Sequence, residues 1–254
     1  MVHSFLLIGQ SNMAGRGLLA DAEPIDTNGD KIFVLRNGRW QVVFRPVNPD
    51  RRFSGTCLAE SFAKAYSDDH PEVNVGLIPC ADGGTTLEQW REGGLLFDNA
   101  VACARLAMRS SRLTGILWHQ GESDCDDALY PLYLEKITAI MRALRRELGA
   151  EDIPLIVGGL GDYLANCQAM AGLATNYSRV NEALVRFAAE TPCTAFVSAE
   201  GLTSNPDLLH FNHSSLMEFG RRYYAAFKTV AGEARVPDGV SREEDIRRTE
   251  IEKL

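Results

Sequence analysis

Four short segments, far apart in the chain, carry residues of types that do chemistry. Ser11 follows the apolar run Phe5-Leu6-Leu7-Ile8 through Gly9-Gln10. Gly83-Gly84 comes after a run ending near Pro79, and Gln120-Gly121-Glu122 after one ending at Trp118. Asp207-Leu208-Leu209-His210 precedes the last amphipathic stretch. A serine hydroxyl is a weak nucleophile until a base takes its proton, and an imidazole base needs an acceptor on its second nitrogen to hold its orientation. His210 is such a base. Asp207, three residues earlier, can fold back onto Nδ1–H and leave Nε2 for Ser11. Charge developing on a carbonyl oxygen needs two or three preset donors. The Ser11 amide, an amide of Gly83 or Gly84, and the Gln120 side chain are the candidates. The chemistry this set could perform is acyl transfer.

Each segment also has an ordinary reading. Ser11 can simply cap a helix, and the nucleophile-elbow pattern G-x-S-x-G is absent, since Asn12-Met13 follows the serine. Asp207 and His210 can form a turn with a capping group. His213 reads as a cap or surface residue, and His119 as a core histidine. Glu122 and Asp124 read as acids at a helix start rather than metal ligands, and Gly83-Gly84 can serve a tight turn. Trp90 and Trp118 read as core aromatics, with Trp90, in a loop, retained as a platform for a sugar ring. What favours chemistry is coincidence, because all four segments must meet at one place in the fold.

The elements that would bring them together are apolar strands alternating with amphipathic helices. Strands are expected at 5–9, 73–79, 113–118, 153–157 and 194–198, and helices at 57–67, 96–108, 129–148, 177–187 and 216–230. Thr85 with Glu88, and Ser215 with Glu218, are spaced as capping boxes. Such alternation means right-handed βαβ units and a mainly parallel sheet covered on both faces. Every strand then ends at the same sheet edge, where the loops converge. Asn37-Gly38 between apolar runs signals a hairpin, expected as a small β insertion beside the main sheet. No linker or repeat interrupts the pattern, so one domain is expected over 1–235, followed by a charged C-terminal tail over 236–254.

Composition narrows the partners. Of 254 residues, 45% are hydrophobic and 24% charged, as in an ordinary globular chain. The net charge of −8 argues against nucleic acid and against anionic membranes. The cysteines at 57, 80, 103, 125, 167 and 193 form no C-x-x-C pair and suit reduced thiols. Met1-Val2-His3-Ser4 runs straight into the first strand, so cytoplasmic residence is expected, with secretion open if a signal peptide has been removed. Oligomeric state is not legible.

The segments 9–17 (Gly9-Gln10-Ser11-Asn12-Met13-Ala14-Gly15-Arg16-Gly17), 78–85, 118–124 (Trp118-His119-Gln120-Gly121-Glu122-Ser123-Asp124) and 207–212 resemble the SGNH (GDSL-type) hydrolases. Within these they resemble the carbohydrate-esterase branch holding sialate O-acetylesterases and acetylxylan esterases. The resemblance spans residues 5 to about 228. It implies a flavodoxin-like three-layer α/β/α sandwich, here expected as a five-stranded sheet of order 2-1-3-4-5. It also implies no metal or other cofactor, and removal of O-acetyl groups from sugars through an acyl-serine. By position it makes Ser11 the nucleophile, His210 the base and Asp207 its partner. Gln120 takes the place of an asparagine that many relatives use as an oxyanion donor, and Gln10 stands where the wider superfamily has aspartate. Candidate substrate contacts are Gln10, Asn12, Glu122, Arg16 and Trp90, with Gly55 lining the site. Arg16, Arg45 and Arg91 could receive an anionic sugar. The alternatives are a lipase or thioesterase on the same residues, and a sugar-binding module without catalysis.

Overall fold

The computed structural model describes residues 1–168 and 176–232. The charged tail expected over 236–254 lies outside the described residues. Strand β1 (Val2–Gly9) is central because both its faces are apolar: Leu6 and Ile8 enter one core, Phe5 and Leu7 the other. It pairs in parallel with β4 (Asn74–Pro79) on one side and β5 (Arg112–His119) on the other. Beyond β5, strands β6 (Leu155–Gly158) and β7 (Thr194–Val197) continue the parallel sheet.

The sheet has seven strands, not the five expected, in the order β3-β2-β4-β1-β5-β6-β7. The five expected strands are its β4-β1-β5-β6-β7 portion. The other two are the hairpin β2 (Ile32–Arg36) and β3 (Arg39–Val42), turned by Asn37 and Gly38 at φ 50° and 78°. The hairpin joins the sheet instead of lying beside it. β2 runs parallel to β4 through Ile32↔Val75, Phe33↔Gly76 and Val34↔Leu77, which pairs backbone groups that an edge would leave open. Gly76 makes room for this addition, since a Cβ there would lie 2.6 Å from the Trp40 ring of β3.

Helices cover both faces. The apolar sides of α2 (Leu58–Asp69) and α6 (His213–Ala231) pack on the Phe5 face. Those of α3 (Leu95–Ala107), α4 (Tyr133–Leu148) and α5 (Tyr177–Glu190) pack on the Ile8 face. The caps differ from expectation. Asn212 caps α6 by accepting from the Ser215 amide at 2.9 Å, and the Ser215 hydroxyl instead accepts from the Thr203 amide. The box at the turn Leu87–Trp90 is Thr86 with Gln89, because Thr85 Oγ1 accepts from Trp90 Nε1. None of the six cysteines is in a disulfide.

The strand order reverses at β1, whose neighbours β4 and β5 lead away in opposite directions. In open α/β sheets this is where loops part to leave a crevice. Gly9 turns the chain there at φ 128°, where a Cβ would collide with the His119 carbonyl oxygen at 2.0 Å. The short helix α1 (Ser11–Ala14) follows at once.

Candidate active site

Ser11 begins α1 directly after the tip of β1. His210 Nε2 lies 3.0 Å from its hydroxyl, and His210 Nδ1 lies 2.7 Å from Asp207 Oδ2. The turn holding Asp207 and His210 is closed by Asp207 itself, whose Oδ1 accepts from the amides of Leu209 and His210 at 2.9 and 3.0 Å. Partial burial would raise the Asp207 carboxyl, but the His210 and Leu209 amides and the His210 ring hold it below the usual carboxylate range. It is therefore an anion at neutral pH, suited to accept from Nδ1–H and leave Nε2 to face the serine. Ser11 is buried, the His210 side chain is 17% exposed and that of Asp207 47%, so the chain of hydrogen bonds runs from the crevice out to solvent.

The oxyanion candidates divide. The Ser11 amide has no partner among the described residues. The Gly83 amide donates to Asp50 Oδ2 at 2.9 Å, whereas the amide of Gly84, at φ 77°, has no described partner. The expectation for Gln120 is corrected. Its side chain is fully buried, and Nε2 donates to the Thr85 carbonyl at 2.9 Å and to Asp124 Oδ2 at 2.5 Å. Both hydrogens are thereby occupied, and the Tyr133 hydroxyl approaches the Gln120 carbonyl oxygen Oε1 at 3.2 Å. Gln120 ties the β5 tip to the 80s loop instead of facing the crevice.

The expected substrate contacts are mostly internal supports. Asn12 is 1% exposed and bonds to Glu122, Leu209 and Phe211. Glu122, 2% exposed, takes the Asn12 amide at 2.5 Å, with His119 Nε2 at 3.4 Å. His119 is a core residue that meets the rings of Phe211 and Phe219 edge-on. Gln10 is buried, with Oε1 only 3.5 and 3.4 Å from the Gly121 and Ser123 amides. Trp90 is a core residue, edge-on to Trp118. Arg45 pairs with Glu60, and Arg91 with Glu88. Gly55 does not face substrate: a Cβ there would overlap the Gly17 carbonyl oxygen at 1.9 Å, so its bareness lets two backbones pass. His213, expected as a cap or surface residue, bonds Thr56 through Nδ1.

Arg16 is corrected in the same way, and it reveals a residue that the sequence reading missed. Its guanidinium grips Asp50 with two bonds of 3.0 and 2.6 Å, with both side chains buried. Burial would raise the Asp50 carboxyl, but Arg16, Ser54 and the Gly83 amide together lower it. Asn48, two residues earlier, exchanges a pair of 2.9 Å bonds with the backbone of Ala81. The segment 45–55 thus straps the 80s loop against α1. Nothing in its sequence beyond prolines and charges marks it, because the ties that make Asp50 a strap run to Arg16 and Gly83, 34 and 33 positions away. Among the described residues no group of three or more acids, histidines and cysteines could hold a metal ion.

A mainly parallel α/β sheet with a serine, a histidine and an aspartate joined at its switch point defines the class of architecture. The chain belongs to the carbohydrate esterase family described as sialic acid-specific acetylesterase, whose family model it matches over residues 1–229. It is accordingly an enzyme, a hydrolase of the carbohydrate acetylesterase kind. It is 27% identical over 239 residues to a probable carbohydrate esterase of Arabidopsis thaliana, covering 85% of this chain and 86% of the plant protein. The X-ray structure of that plant protein superposes with a TM-score of 0.80 at 24% identity, covering 89% of this chain and 98% of the other. NanS gives a TM-score of 0.69 at 15% identity over 91% and 98% of the two chains. A carbohydrate acetylesterase of Xanthomonas citri gives 0.64 at 18% identity, over 91% of this chain and 57% of the other.

Proposed function

We propose that the protein is a serine esterase that removes O-acetyl groups from a carbohydrate through an acyl-enzyme on Ser11. The observation that carries this reading is the continuous chain Ser11 Oγ–His210 Nε2–Asp207, with contacts of 3.0 and 2.7 Å. His210 Nε2 takes the Ser11 proton as Oγ attacks the acetyl carbon, and Asp207 stabilises the imidazolium that forms. The oxyanion falls to the amides of Ser11 and Gly84, the two candidate donors without a described partner. His210 then returns the proton to the departing sugar hydroxyl, which leaves acetyl on Ser11. Water, deprotonated by the same nitrogen, releases acetate.

The family description and these groups support an acetylated sugar as substrate. Neither Arg16 nor Arg45 is free to receive an anionic sugar, since each is paired with a carboxylate. The test is Ser11→Ala assayed on p-nitrophenyl acetate, then a panel of acetylated xylo-oligosaccharides, O-acetylated sialic acid and acyl esters of increasing length. Loss of all hydrolysis with an unchanged circular dichroism spectrum is expected, with rates in the wild type falling as the acyl chain lengthens. Retained hydrolysis in Ser11→Ala would remove the mechanism, and rates that rise with chain length would point to a lipase.

A further inference from the structure

The side chain of Asn12 joins three elements. Its Oδ1 accepts from the Phe211 amide at 3.0 Å. Its Nδ2 donates to the Leu209 carbonyl at 3.3 Å and to Glu122 Oε1 at 2.5 Å. Leu209 and Phe211 are the chain neighbours of His210 on either side, so one amide grips the backbone at both flanks of the base. Asn12 is also the residue after Ser11. The nucleophile and the base are therefore referenced to each other through a single buried side chain, 199 positions from Phe211 in sequence.

The bonds inside the 207–210 turn do a different job. Asp207 closes the turn on the Leu209 and His210 amides and holds the His210 ring, which sets the shape of the turn but not its position. Asn205 ties the turn to the segment after α1, donating its amide to the His210 carbonyl at 2.7 Å and Nδ2 to the Arg16 carbonyl at 2.8 Å, whereas Asn12, next to Ser11 in the chain, grips the two residues that flank His210. The direction of the Asn12 amide is fixed in turn by Glu122. Flipped, the amide would aim its NH2 at the Phe211 N–H and its oxygen at both the Leu209 carbonyl and the Glu122 carboxylate. Burial would raise the Glu122 carboxyl, but His119 and the Asn12 amide hold it below its ordinary value, so it remains an acceptor at neutral pH.

We propose that Asn12, held in one orientation by Glu122, is a positioning residue that sets His210 against Ser11. The proposal rests on the reading of Ser11 and His210 as nucleophile and base. A misplacement of about 1 Å costs roughly 10²-fold in rate when proton transfer needs close alignment. Asn12 does not touch the reacting atoms, so its effect must pass through His210.

A double-mutant cycle tests this with p-nitrophenyl acetate as the probe. Asn12→Ala is expected to lower kcat by about 10²-fold with little change in KM, and to add nothing to the residual rate of His210→Ala. An equal fall in both backgrounds, or no fall in either, would overturn the proposal. His210→Ala with full activity would instead remove the underlying serine esterase reading, which keeps the two failures distinct. If Asn12→Ala does not fold, the same cycle is run on residue 122. Glu122→Gln retains an acceptor oxygen for Asn12 and should lose less kcat than Glu122→Ala, and neither should lower the residual rate of His210→Ala. Equal losses in the two Glu122 variants would contradict the lock.

Discussion

Asp50 and Asp207 both belong to loops that converge on Ser11, and both carboxyls lie below their ordinary range. Their surroundings differ. The Asp50 side chain is 3% exposed and is saturated by Arg16, Ser54 and the Gly83 amide. The Asp207 side chain is 47% exposed, and its described partners are all within three residues: its own turn and the ring of His210. A buried, fully bonded carboxylate belongs to the framework, because its bonds to Arg16 and Gly83 join separate segments. A carboxylate at the surface with one imidazole partner leaves the fold nearly independent of it, and leaves the imidazole reachable by a substrate.

Substitutions should therefore separate the two aspartates. The largest effect belongs to Asp207→Asn, which on the proposed mechanism lowers kcat for p-nitrophenyl acetate by about 10⁴-fold. Its cost in urea-unfolding free energy should be no more than about 1 kcal/mol, as for other exposed sites. Arg16→Ala should do the reverse in the first instance, since it removes the two-bond partner of the buried Asp50 and leaves it, as an ion pair, only the long Arg51 contact at 4.0 Å. A loss of about 3 kcal/mol or more in unfolding free energy is expected, read from the urea midpoint, with kcat falling less than in Asp207→Asn. An Arg16→Ala protein as stable as the wild type would erase the contrast. The smallest effect is on pH dependence. The Asp50 carboxyl titrates lower in the folded chain than its unfolded value of 3.8, so its contribution is complete above that value and is lost as pH falls through the folded one. Thermal melts between about pH 5 and 2.5 should therefore show an acid decline that is shallower in Asp50→Asn than in the wild type.

The same contrast explains what was legible in the sequence. Strand tips can be read locally: an apolar run that ends in small and polar residues announces itself at Ser11, at Pro79 and at Trp118. Asp207 and His210 are also local to each other, so their spacing sufficed to suggest the pair. The supports were not legible, because their roles come from distant partners. Asn12 and Glu122 neighbour Ser11 and Gln120 in sequence, which suits substrate contact, yet each is turned inward by the other. Arg16 reads locally as a residue that could receive an anionic sugar, but Asp50, 34 residues away, already holds it. Trp90 ends the helical turn Leu87–Trp90 instead of standing in an open loop, and its burial against Trp118 depends on how that turn folds back, which local sequence does not show. The hairpin itself is legible from Asn37-Gly38, but its place in the sheet is not, because a hairpin signal says that β2 and β3 pair, not that β2 finds the free edge of β4.

Covalent labelling reads whether Ser11 is an activated nucleophile. An alkyl fluorophosphonate added to the native enzyme should attach once, to the peptide carrying Ser11, and abolish hydrolysis of p-nitrophenyl acetate in proportion to labelling. His210→Ala protein should label far more slowly. Modification at another residue, or equal labelling of wild type and Ser11→Ala, would contradict the account.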